Sequence, residues 1–159
     1  MPDDTALRST TDTRLRRFAT SLQRTAANTG QAGMLVLSGG STTDRHAALN
    51  RLSTYLSADA RLVSKYIGET EKNIGKLFAD AGRAGWILFF DEADALFGKR
   101  SDVKRSQDRY ANKPLAYLSD CASLYGCVVV LAADLPVQRL GFNVRRRAFF
   151  VDLGQKARS

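Results

Sequence analysis

The chain has 159 residues, with 24 Lys and Arg against 16 Asp and Glu, a net charge of +8 with its one His neutral. That length suits one domain able to bury a core, and a composition 44% hydrophobic and 25% charged is globular rather than disordered or fibrous. No apolar run approaches the roughly 18 residues of a membrane span, and the opening MPDDTALRSTTD lacks the basic and apolar regions of a signal peptide. Cys121 and Cys127 lack metal-ligand spacing, so the expectation is a reduced, cytoplasmic protein with no membrane partner.

In chain order, residues 1–12 are polar, with little to bury, and read as disordered. Leu15, Phe18, Leu22 and Ala26 then recur at spacings of three or four, one stripe of a helix over about 13–28 that Asn28-Thr29-Gly30 ends. Met34 to Leu37 is a short apolar run, as for a strand buried on both faces. A Gly/Ser/Thr turn, Ser38 to Thr43, leads into a helix over about 44–57 with Ala48, Leu49, Leu52 and Leu56 on one face. Residues 58–63 have room only for a short strand. Ile74, Leu77, Phe78 and Ala81 stripe a helix from Thr70 to Arg83. Trp86 to Phe90 is the densest strand, Pro114 opens a helix to about 123, and Cys127–Ala132 and Ala148–Leu153 are two further strands. Strands alternating with helices imply a parallel sheet covered on both faces.

The positive charge is localised. Residues 98–113 hold six basic and two acidic side chains and residues 139–159 hold six and one, together +9, so the remainder of the chain sums to −1. An anionic partner such as nucleic acid is one reading and solvated basic loops are the other. Tyr110, Phe142, Phe149 and Phe150 are the aromatic residues of the patches, too few for interleaved base stacking, and Phe149 and Phe150 read as strand core.

ILFFDEAD (Ile87 to Asp94) carries the most chemistry. A buried strand ends in Asp91-Glu92 at the C-terminal tip, where ligands bind in open α/β sheets. In P-loop ATPases this is the Walker B arrangement, in which the first acid holds Mg²⁺ and the second polarises the attacking water. The alternative, Asp91 as the cap of a following helix, explains one carboxylate and not the pair.

SKYIGETEKNIGKLF (Ser64 to Phe78) followed by ILFFDEADALFGKR (Ile87 to Arg100) resembles the AAA family of P-loop ATPases, in particular bacterial members with a GKR…RYAN loop, some of which accompany contractile injection systems. The resemblance spans roughly 33–153 and is most specific over 63–112. It implies a three-layer α-β-α sheet of the P-loop NTPase kind, ATP and Mg²⁺ as cofactors, Asp91 as metal ligand, and assembly into an oligomer. It also implies that Lys65-Tyr66-Ile67-Gly68 is the first pore loop, with Tyr66, Ile67 and Gly68 facing a polypeptide substrate; as a bare sequence, Tyr66 equally suits packing on the next helix. Asp134 falls at sensor 1, where the family usually has Asn. Arg145 and Arg146 fall on the arginine-finger segment; without the resemblance they read as a basic turn.

The phosphate loop departs from the pattern G-x-x-x-x-G-K-[ST]. In register stand Gly39, Gly40, Ser41, Thr42, Thr43, Asp44, Arg45 and His46. Asp44 replaces the second Gly and sets a carboxylate against the phosphates. Arg45 keeps the charge of the family lysine but not its compact shape, and His46 lacks the hard oxygen that Mg²⁺ prefers. Read locally, Ser41, Thr42 or Thr43 caps a helix starting near Asp44, whose charge suits the helix N-terminus.

The expected organisation is a disordered segment 1–12, an AAA-type domain 13–153 whose N-terminal helix is 13–29, and a basic tail 154–159, without the C-terminal helical lid. The expected function is an AAA domain with little or no ATP binding or hydrolysis, a pseudo-ATPase acting as an assembly or polypeptide-binding module. Its expected partners are its own copies, an intact AAA paralogue or a polypeptide. One alternative is an active ATPase completed by other subunits of a ring; the other is an anion-binding protein using the basic patches.

Overall fold

The computed structural model describes residues 4–29, 33–63, 71–91, 93, 113–134 and 148–154. Among these, five strands form one parallel sheet: β1 (Gly33–Ser38), β2 (Ala60–Leu62), β3 (Ile87–Phe90), β4 (Val128–Ala133) and β5 (Phe149–Asp152), in the order β2-β3-β4-β1-β5. The described residues also form four helices, α1 (Asp4–Thr29), α2 (Thr42–Leu56), α3 (Glu71–Ala84) and α4 (Lys113–Tyr125).

The three central strands are apolar along their length because both faces are covered. Leu35, Leu37, Phe89, Val128 and Val130 pack with Leu15, Phe18 and Leu22 of α1 and Leu49 and Leu52 of α2. Their alternates Met34, Val36, Leu88, Phe90, Val129 and Leu131 pack with Ile74 and Phe78 of α3 and Leu118 of α4. Alternation with a period of two sends neighbouring side chains to opposite layers, which makes the expected three-layer architecture. β2 is a three-residue edge strand, as the room for only a short strand over 58–63 implied.

The first helix begins earlier than expected. Residues 4–12, read above as disordered, are helical from Asp4. Thr11 is buried, one helical turn before Leu15. Asp12 accepts hydrogen bonds from the Tyr55 hydroxyl and, at 2.9 Å, from Arg16 Nε, with Arg51 Nη1 at 3.9 Å. The guanidinium of Arg16 also lies 4.9 Å from the Tyr55 ring centre. The end of this polar segment is thus held at Asp12 by partners on α1 and α2, and tertiary contacts there supply what helix propensity does not.

Candidate functional site

Three tips meet at the C-terminal edge of the sheet. β1 runs out at Ser38 into Gly39-Gly40-Ser41, after which α2 begins at Thr42. β3 ends into Asp91 and β4, its neighbour, into Asp134.

The turn after β1 is tight. Gly39 and Gly40 have φ of 77° and 75°, the left-handed region that glycine occupies without strain. The Gly39 N–H donates to Ala133 O and the Gly40 N–H to Gly154 O, both at 2.9 Å. A Cβ on Gly39 would lie 2.7 Å from Gly154 O, so the segment after β5 closes down on this turn.

α2 starts with a capping box. Ser41 is the N-cap: its Oγ accepts from the Asp44 N–H at 3.1 Å, and Asp44 Oδ2 accepts from the Ser41 N–H at 2.9 Å. Of the three candidate caps, the chain uses the one three residues before an acid. The helix therefore starts at Thr42 rather than near Asp44. Five of the eight phosphate-loop positions, Thr42, Thr43, Asp44, Arg45 and His46, are wound into α2. Thr42, Thr43 and His46 are exposed, and the His46 ring meets Phe89 edge-on at 5.8 Å.

Arg45 turns inward. Its side chain is 6% exposed. Nε donates to Gly39 O at 3.1 Å, Nη1 to Asp91 Oδ1 at 3.0 Å, and Nη2 to Asp134 Oδ1. Asp91 is 22% exposed and Asp134 75%, so the Asp91 pair is the better shielded and the stronger of the two. One guanidinium thus ties the turn after β1 to the tips of β3 and β4. The charge-assisted bonds it makes are of the strong class.

The structure brings Gly39, Arg45, Asp91 and Asp134 together, with Gly40, Ser41 and Asp44 on the adjoining turn and cap. Glu92, Tyr66, Ile67, Gly68, Arg145 and Arg146 lie outside the described residues. Sequence reasoning treated Arg45 and Asp134 as separate departures from a pattern and missed their pairing. The available signal was their complementarity: one position gains a forked cation where another gains an anion.

Residues 20–151 match the family described as "ATPase family associated with various cellular activities (AAA)". This chain belongs to the AAA family. The domain is similar to Protein CdcH of Halobacterium salinarum, 32% identical over 99 residues, covering 62% of this chain and 13% of that protein. It is 39% identical over 77 residues to the ATPase family gene 2 protein of Schizosaccharomyces pombe, covering 47% of this chain and 10% of that one. An uncharacterized AAA family ATPase of Sinorhizobium fredii, y4kL, is 52% identical over 62 residues, covering 38% of this chain and 19% of its own length. This chain thus covers a fifth or less of the length of each of these relatives.

At the AAA nucleotide position the chain's own groups occupy the donors and the acid that would meet ATP and Mg²⁺. A phosphate loop works by offering backbone N–H groups that no other group has taken. Here those of Gly39, Gly40, Ser41 and Asp44 are taken by the chain itself, and the acid at the metal position holds a guanidinium.

Proposed function

We propose that this AAA domain binds nucleotide weakly or not at all, and acts as an assembly or polypeptide-binding module. The observation that carries the reading is the capping box at the start of α2: the Asp44 carboxylate sits on the Ser41 N–H, at the helix end that favours an anion. A phosphate brought to the same N-terminus meets that negative charge. Two unit charges about 4 Å apart repel by roughly 4 kcal/mol at an effective dielectric near 20, and a triphosphate carries several. The helix start is satisfied without ligand, so a nucleotide has to break two existing hydrogen bonds before making its own.

In this reading the AAA scaffold serves protein contacts in the cytoplasm. Its partners are further copies of the chain, an intact AAA paralogue, or a polypeptide gripped at Tyr66, Ile67 and Gly68. The basic stretches 98–113 and 139–159 serve subunit contact rather than nucleic acid. Titration with a fluorescent ATP analogue, with and without Mg²⁺, on protein of known oligomeric state by light scattering tests it. No saturable binding in the micromolar range is expected; micromolar affinity with Mg²⁺-dependent turnover overturns it.

A second reading, an ATPase working in a ring with parts supplied by other subunits, is favoured by Asp91 at the tip of β3 and by relatives named as ATPases. Its signature is more ATP retained by the Glu92→Gln variant than by the parent chain.

A further inference from the structure

The carboxylates of Asp91 and Asp134 stand at the tips of adjacent parallel strands, and both accept from the same buried side chain. Without a cation between them, two negative charges face each other over a partly shielded site. In a nucleotide-binding domain a metal ion and its phosphates bring positive and negative charge into this place from outside. Here the cation is covalently part of α2.

We propose that Arg45 is the resident cation of this site, standing in for a divalent metal at Asp91 and tying the β1–α2 turn, β3 and β4 together so that the apo domain keeps its shape unaided. The inference deepens the reading above, resting on it for the statement that nucleotide does not normally fill the site.

The geometry supports it in three ways. First, the guanidinium uses three separate donors on three separate elements: Nε on Gly39 O, Nη1 on Asp91 and Nη2 on Asp134. A lysine ammonium is a point donor on a flexible stem and does not span such a set with a fixed fork. Second, the side chain is 6% exposed, and a buried charge of this kind persists only when paired and hydrogen-bonded. Third, no described buried side-chain nitrogen or oxygen lacks a partner, so the charge is taken into the fold without leaving a buried polar atom unmatched. Removing the guanidinium takes the shared cation away from Asp91 and Asp134 and leaves two carboxylates, hard oxygen donors of the kind that Mg²⁺ accepts, at adjacent strand tips.

The test is thermal unfolding of the full chain, without nucleotide, with and without millimolar Mg²⁺ at constant ionic strength. The parent chain is expected to show no Mg²⁺-dependent shift. Arg45→Gln is expected to melt roughly 10 °C lower, the scale of breaking a buried ion pair in a domain of this size. It should then recover in part with Mg²⁺ by mass action. Asp91→Asn added to Arg45→Gln should abolish the Mg²⁺ response. An arginine with a merely structural role predicts the loss but no metal response. If Arg45→Gln does not fold, the double variant decides, because removing one of two facing charges should restore a cooperative transition. A parent chain stabilised by Mg²⁺, an Arg45→Gln chain indifferent to it, or a double variant no more stable than an unfolded single one each overturns the proposal. ATP binding by the parent chain, in contrast, sinks the functional reading and leaves the metal comparison standing.

Discussion

Cys127 shows how much a residue's surroundings set its chemistry. It lies at the foot of β4, buried, with its thiol donating to Phe78 O at 3.1 Å. Burial, and then the neighbouring Cys121, pushes its pKa up from 9.0 to about 11. The native thiol therefore stays protonated at neutral pH and is a poor nucleophile. An unfolded chain releases that proton earlier, so the stability it contributes is present below about pH 9 and falls as pH rises toward 11. Alkylation by iodoacetamide at pH 8 should be slow in native protein and fast in denaturant, as read by mass spectrometry. Cys127→Val should flatten the decline of stability between pH 9 and 11. A two-cysteine chain already excluded a metal cluster of thiolates by spacing; protonation depends on burial, which spacing does not encode.

Among elements, α1 is where local pattern and tertiary support separate. Its apolar stripe was legible from the spacing of Leu15, Phe18 and Leu22, and these residues are buried against α2 and the sheet. Phe18 also meets Phe149 edge-on at 5.2 Å. Phe18→Ala should cost about 3–5 kcal/mol in urea unfolding, the range for emptying a buried phenylalanine site. The first turns, residues 4–12, were not legible, because Asp12 finds its partners 39 and more residues away on α2. The Tyr55 hydroxyl, helped by Arg16 and Arg51 and opposed by desolvation, holds the Asp12 carboxyl below its ordinary value of 3.8. Its contribution is present above about pH 4 and is lost as pH falls further. Tyr55→Phe should lower stability by about 1 kcal/mol at pH 7. The difference should shrink below pH 4, as followed by circular dichroism.

For α2 the same comparison runs the other way. Ser41 and Asp44, three apart before an apolar stripe, already spelled a capped helix. The family pattern asked for a loop over the same residues. Local chemistry prevailed because the second Gly, which keeps the turn open to phosphate, is Asp44.

For the whole molecule, parallel β-strands buried on both faces carry their own signature, and β1, β3 and β4 fall where apolar runs stand in the sequence. Their order does not follow from those runs. β1 lies between β4 and β5, and this crossing of the chain gathers Gly39, Asp91 and Asp134 from positions far apart in sequence to one edge. On the proposed reading, millimolar Mg²⁺-ATP should leave the melting temperature of the parent chain unchanged, since a ligand stabilises only what it binds. A rise of several degrees counts against it.

By itself the sequence determined the apolar stripes of the helices, the central strands, the AAA membership and the loss of the phosphate-loop pattern, because periodicity, capping spacing and motif residues are local properties of the chain. Only the tertiary structure decided what replaced the loss. Arg45, Asp91 and Asp134 are 46 and 89 residues apart in the two pairs, and whether an isolated arginine and two isolated acids become a closed site depends on strand order and burial. A charge in water is worth little to its neighbours, whereas the same charge at 6% exposure must be matched.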